Sequence, residues 1–133
     1  MLGSRYVPGG GVEGWPLHRR LLSRTGGAYA RAALGSPVRD LTGGLKCFHA
    51  DALRRIGIND SVTAGFAFQV ETTYRAERAG LRVEEVPIVF RERRAGRSKM
   101  SAAIAAEALW RIPALRLGRR RPPKAGPPMA RPV

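Results

Sequence analysis

The stretch Asp40-Leu41-Thr42-Gly43-Gly44-Leu45-Lys46-Cys47-Phe48 limits what this chain can fold into more than any other. It sets an acid, a hydroxyl, two adjacent glycines and a cation between a helical segment and a second amphipathic one, where a structural turn would need only the glycines. Paired glycines allow positive φ and let another backbone or a ligand approach closely. Asp40 and Lys46 are therefore expected to face one shared pocket, and the rest of the chain is read around that expectation.

The charge distribution narrows the partner. Residues 1 to 39 carry six basic side chains against one acidic, 40 to 90 six against seven, and 91 to 133 twelve against two, so the net charge of +14 sits at the two ends. Such an excess favours nucleic acid, an anionic membrane surface or a phosphorylated substrate. Arginine outnumbers lysine, which suits bidentate phosphate contacts and equally fits a GC-rich genome. A chain of 133 residues that is 44% apolar has room for one modest core and is not wholly disordered. Its single cysteine, Cys47, excludes an internal disulfide framework and is expected to pack as a small apolar group. No apolar run is long enough to span a bilayer, and no signal-peptide pattern opens the sequence.

In chain order, Leu2 to Val7 reads as the end of a strand, as if entered partway, running into the flexible loop Pro8-Gly9-Gly10-Gly11. Pro16 then opens a helix that continues to Leu34, with Gly26-Gly27 weakening it and inviting a kink. Arg19 and Ser23 lie four apart on one face of that helix, and Arg20 and Arg24 form a second pair about a hundred degrees round. A guanidinium and a hydroxyl one turn apart can grip a phosphate, although a solvated cationic face has the same spacing. A short helix from Ala50 stops at Gly57, with Leu53 and Ile56 inward and Asp51 as a first-turn charge. His49 has no second ligand at metal spacing. A longer helix runs from Gly65 to Gly80, in which Glu71 and Arg75 are spaced for an ordinary ion pair. Residues 81 to 90 alternate as one strand, with Pro87 marking an edge or a bulge. A basic loop, Arg91 to Met100, precedes an Ala-rich helix capped by Ser101. That helix turns Ile104, Ala108, Leu109 and Ile112 to one apolar side and is expected to end at Pro113. Trp110 and Arg111 suit a membrane interface, and packing within the domain suits that helix equally. Residues 118–133 read as a disordered basic Pro/Gly-rich tail after a folded region of 1–117.

The order of these motifs is more specific than any one of them. Gly3-Ser4-Arg5-Tyr6 before a Gly-rich loop, Trp15 with Arg19 and Ser23, Asp40-Leu-Thr-Gly-Gly, Gly65-Phe-x-Phe-Gln69-x-Glu71, Glu85-Val-Pro-Ile and Glu92-Arg-x-x-Gly96-x-Ser98-Lys99-Met resemble the C-terminal half of polyprenol (dolichol) monophosphate mannose synthases, members of glycosyltransferase family 2. The resemblance runs from about Leu2 to Ile112. It departs from the family at Leu45, where an aromatic residue often follows the paired glycines, and it lacks the N-terminal half with its nucleotide-binding sheet and acidic metal motif.

This resemblance implies an α/β fold, the acceptor-side part of a GT-A glycosyltransferase. The reaction it implies is inverting transfer of mannose from GDP-mannose to polyprenyl phosphate. It implies Arg5, Arg19 and Ser23 as acceptor-phosphate ligands, Arg93, Ser98 and Lys99 in a basic loop that closes over phosphates, and Asp40 as the acid that orients sugar or acceptor. Thr42, Gly43, Gly44, Gln69 and Glu71 then line the pocket. A divalent metal, Mg or Mn, is expected in the complete enzyme, with no ligand in this chain. The missing half would come from a further segment or a separate chain, and this chain alone is expected to be inactive. The implied location is peripheral, at the cytoplasmic face of an anionic membrane, with no nucleic-acid partner. The alternative from charge alone is a small basic nucleic-acid-binding module, but no helix-turn-helix, zinc-finger or aromatic RNA-binding signature accompanies the charge.

Overall fold

The computed structural model of the chain describes residues 1–61, 63, 65–92 and 102–118. The expectations for Arg93, Ser98, Lys99 and Ser101, and for the tail from residue 119 on, lie outside the described residues. The fold is mixed α/β, in the order β1 (Leu2–Ser4), β2 (Gly11–Glu13), α1 (Leu17–Leu34), α2 (Ala50–Ile56), a 3₁₀ turn (Ile58–Asp60), α3 (Gly65–Arg78), β3 (Glu85–Pro87), β4 (Val89–Arg91) and α4 (Ala102–Leu117).

Both strand pairs are parallel. β1 runs beside β3, with Leu2 opposite Glu85 and Ser4 opposite Pro87, and β2 runs beside β4, with Gly11 opposite Val89. Only Ile88 separates β3 from β4. Its N–H donates to the Ser4 carbonyl and its own carbonyl accepts from the Gly11 N–H, each at 3.0 Å. The segment paired with β3 and β4 therefore leaves the ladder after Ser4, makes an excursion through residues 5–10, and rejoins at Gly11. Gly10 closes that excursion: a Cβ there would stand 2.5 Å from the Ser4 carbonyl oxygen, so only glycine fits. The single strand expected over 81–90 is corrected accordingly. It begins at Glu85 and breaks at Ile88, because its partner is interrupted there and because Pro87 has no N–H to give a ladder.

On its other edge β1 meets the second half of the opening stretch. Leu2 and Lys46 form a lone antiparallel bridge, the Gly3 N–H donates to the Leu45 carbonyl at 2.8 Å, and the Cys47 N–H to the Met1 carbonyl at 2.9 Å. A Cβ on Gly43 would lie 2.8 Å from the Gly3 carbonyl oxygen, whereas one on Gly44 would meet nothing. The close approach expected of the paired glycines thus falls on Gly43 alone, and what approaches is β1. Cys47, expected to pack, is exposed at this edge.

The three longer helices enclose the core, in which Leu2, Leu34, Leu41, Val70, Ala108 and Ile112 come together. α1 passes unbroken through Gly26-Gly27, with Gly27, Ala30 and Leu34 buried. α2 stops at Gly57 in the left-handed conformation, as its sequence predicts, with Ile56 buried and Leu53 half-buried. The expected end of the last helix at Ile112 is corrected, since α4 continues through Pro113 to Leu117. Pro113 cannot donate to the Leu109 carbonyl four residues before it, and the Tyr29 hydroxyl, from α1, donates to that carbonyl instead. Leu109 itself is exposed rather than on the packed side with Ala108 and Ile112. Among the described residues no helix is long and apolar enough to cross a membrane.

Candidate functional site

The excursion after β1 begins with Arg5, and the first thing it meets is Asp40. The Asp40 Oδ2 accepts from the Arg5 backbone N–H at 2.9 Å and from its Nε at 2.8 Å, while Oδ1 accepts from Nη2 at 2.7 Å. Thr42 completes the arrangement, its hydroxyl accepting from Arg5 Nη2 at 2.7 Å and donating to Asp40 Oδ1 at 3.1 Å. Glu85, the first residue of β3, fixes the acid's backbone by accepting from the N–H groups of Arg39 and Asp40 at 2.9 and 3.0 Å. The Asp40 side chain is 0% exposed and that of Arg5 11%. Burial pushes the Asp40 pKa up, but the Arg5 side chain and backbone N–H outweigh it and hold the carboxyl below the usual range. The expectation that Asp40 addresses a sugar thus meets a carboxylate fully enclosed by Arg5 and Thr42. In this structure Asp40 aims Arg5.

Three residues predicted to bind phosphate are brought together by two aromatic rings. The Arg19 guanidinium lies 4.3 Å from the centroid of the Trp15 ring and the Arg5 guanidinium 5.5 Å from it, so both cations address one indole. Arg5 also lies over Tyr6 at 5.2 Å, and the Tyr6 hydroxyl shares a 2.5 Å hydrogen bond with the Ser23 hydroxyl. Phe90 of β4 holds Trp15 edge-on at 5.5 Å, and Glu92 pairs with Arg19. The Trp15 Nε1 is buried without a hydrogen-bond partner among the described residues. The second expected pair separates: Arg20 donates to the Val12 carbonyl at 2.7 Å, while Arg24 stands 6.0 Å from the Tyr6 centroid.

Among the described residues, neither Gln69 nor Glu71 hydrogen-bonds to Arg5, Arg19 or Ser23. The Glu71 side chain is 1% exposed, pairs with Arg75 at 2.6 Å, and accepts from the hydroxyls of Ser61 and Thr63, so it fastens the segment before α3 to that helix. Arg75 also donates to the carbonyls of Ile56 and Gly57, closing the end of α2. The Gln69 backbone carbonyl accepts from Lys46 Nζ, which also donates to Thr72 Oγ1 at 3.1 Å. Burial brings the Lys46 pKa down to about 8, against the attraction of Asp40. The shared pocket expected of Asp40 and Lys46 is not formed by direct contact: Asp40 is hydrogen-bonded to Arg5 and Thr42, and Lys46 to the Gln69 carbonyl and Thr72. Among the described residues no three His, Cys, Asp or Glu side chains converge to hold a metal ion. Asp40 and Glu71 are each paired with an arginine, so neither carboxylate stands ready to hold the metal expected of the complete enzyme.

Sequence reasoning passed over Glu85 and Tyr6 as acting residues, although both stand inside quoted motifs. Their signal was the combination: an acid beginning a strand, and an aromatic following an arginine at a strand end.

No family model matches the chain, and no solved structure matches it with significance. Curated relatives do match. An undecaprenyl-phosphate mannosyltransferase of Micrococcus luteus is 43% identical over 112 residues, covering 84% of this chain and 46% of the relative. A polyprenol monophosphomannose synthase of Mycolicibacterium smegmatis is 41% identical over 111 residues, covering 84% of this chain and 42% of the relative. Over most of its own length the chain is thus a homologue of proteins named undecaprenyl-phosphate mannosyltransferase and polyprenol monophosphomannose synthase, and it spans a little under half the length of the curated relatives it matches.

Proposed function

We propose that the chain forms the acceptor-side part of an enzyme that transfers mannose from GDP-mannose to polyprenyl phosphate, with inversion at the sugar carbon. The observation that carries this reading is the convergence of Arg5 and Arg19 on the Trp15 ring with Ser23 beside them. A lipid phosphate is ionised at neutral pH and serves as its own nucleophile, so the site must position an anion rather than remove a proton. In the step itself a phosphate oxygen bonds to the mannose C1 while the C1–O bond to the nucleoside diphosphate breaks, and GDP leaves with that electron pair. Arg5, oriented by Asp40, and Arg19, oriented by Trp15 and Glu92, place two cations for the phosphate oxygens.

In this reading the chain is part of a GT-A fold, and a further segment or another chain binds the donor nucleotide and its metal. The complete enzyme works peripherally at the cytoplasmic membrane face. The nucleic-acid alternative has only net charge in its favour. The test is to join this chain to the part of the Mycolicibacterium relative that it does not match, and to follow radiolabelled mannose from GDP-mannose into polyprenyl phosphate. Labelled lipid is expected from the folded chimera and none from this chain alone. A folded chimera that yields no product, under conditions where the unmodified relative is active, would reject the reading.

A further inference from the structure

The geometry points to a second phosphate-binding site, in the cleft of about 190 Å³ that Arg24, Arg31 and Arg39 line together with Tyr6. Gly27 and Ala28 form its remaining wall, so little side-chain bulk occupies it. Arg24 and Arg31 are seven residues apart on α1, two turns along one face, and both therefore reach the same opening. Arg39 arrives from the segment beyond the helix, where Glu85 holds its backbone N–H. Water has a liquid volume of roughly 30 Å³, so the cleft holds a phosphate group with several waters.

What distinguishes these cations is that three of them line one concavity with no acidic side chain in its lining; among the described residues Arg20, Arg55, Arg78 and Arg116 also lack a carboxylate partner, whereas Arg82 pairs with Glu84. Arg5, Arg19, Arg54, Arg75, Arg91 and Arg111 each reach an aspartate or glutamate. Among the described residues no carboxylate is paired with Arg24, Arg31 or Arg39. Arg31 stands in the last turn of α1, where the helix dipole favours a cation, but Arg24 and Arg39 have no such compensation. Three guanidinium groups around one concavity repel each other unless an anion joins them, and their planar forks match phosphate oxygens. The ligand class is a phosphate or diphosphate, whether free in solution or in a lipid headgroup. The site is distinct from the one assigned to the acceptor, since neither Arg5, Arg19 nor Ser23 lines the cleft. Tyr6 connects the two, its ring in the cleft wall and its hydroxyl on Ser23.

The test uses the whole 133-residue chain, with inorganic pyrophosphate in calorimetric titration and phosphatidylcholine vesicles with or without phosphatidylglycerol in flotation. Binding of either probe is expected, pyrophosphate indicating a free ligand and phosphatidylglycerol-dependent flotation a headgroup. The double variant Arg31→Gln/Arg39→Gln should weaken it by roughly ten-fold or more, while Arg82→Gln, an exposed control, stays within about two-fold. If circular dichroism shows the double variant unfolded, Arg39→Lys serves in its place, keeping the charge and losing the fork, with an intermediate loss expected. No binding of either probe, equal loss in Arg82→Gln, or full binding by the variants overturns the site. Loss of polyprenyl-phosphate use in Arg19→Ala bears on the acceptor reading alone, so the two can fail separately.

Discussion

Asp40 and Arg5 show how a single pair fixes the site. An enclosed carboxylate with both oxygens on one guanidinium and one hydroxyl is a positioning device, and removing its charge leaves Arg5 buried without a counter-ion. Asp40→Asn is therefore expected to destabilise the fold by about 3 kcal/mol, read by urea denaturation. A loss below about 1 kcal/mol would show that Arg5 finds other partners. Lys46 gives a second residue-scale expectation. Its pKa is about 8 when folded against 10.5 ordinarily, so between these values the unfolded chain binds more protons and stability rises with pH. Below about 8 both states are protonated and this contribution is lost. A Lys46→Met variant should lack that rise when its denaturation midpoint is compared with the parent's from pH 8 to 10.5; parallel curves would mean that Lys46 is solvated. That the two residues share one stretch was legible from Asp40 to Phe48, but their partners Arg5 and Thr72 were not, because those come from the excursion after β1 and from α3, distant in sequence.

At the scale of elements, the helices were read well where their signals are local and poorly where a distant side chain decides. The Gly57 stop of α2 and the Glu71–Arg75 pair follow from spacing alone. The continuation of α4 past Pro113 does not, because the group that satisfies the Leu109 carbonyl is Tyr29 on α1. Tyr29→Phe is accordingly expected to cost about 0.5–1.5 kcal/mol, the net worth of one hydrogen bond at a carbonyl that water can reach. In a Pro113→Ala background, where residue 113 donates its own N–H, the same change should cost less than half as much. Equal costs in the two backgrounds, measured as a double-mutant cycle, would dissociate the hydroxyl from the proline. The split of the expected strand at Ile88 has a similar origin. Alternation in residues 81–90 could not reveal that their partner leaves the ladder through residues 5–10, and that excursion is what carries Arg5 and Tyr6 to the site.

Across the whole molecule, a parallel ribbon interrupted by one excursion presents Arg5 to the same indole to which α1 presents Arg19, the arrangement proposed as a seat for a lipid phosphate. The order of the motifs disclosed the family before any geometry was known, and relatives at 41–43% identity bear it out. The cleft of Arg24, Arg31 and Arg39 was not legible, since helical spacing joins only Arg24 and Arg31, and Arg39 and Tyr6 reach it from segments outside α1. The most direct measurement is the affinity for polyprenyl phosphate and for GDP-mannose of the chimera with Arg19→Ala. Polyprenyl-phosphate affinity should fall roughly ten- to a hundred-fold, as for loss of a hydrogen bond to a charged group, with GDP-mannose affinity unchanged. Unchanged polyprenyl-phosphate affinity, or an equal loss for both ligands, would contradict the assignment.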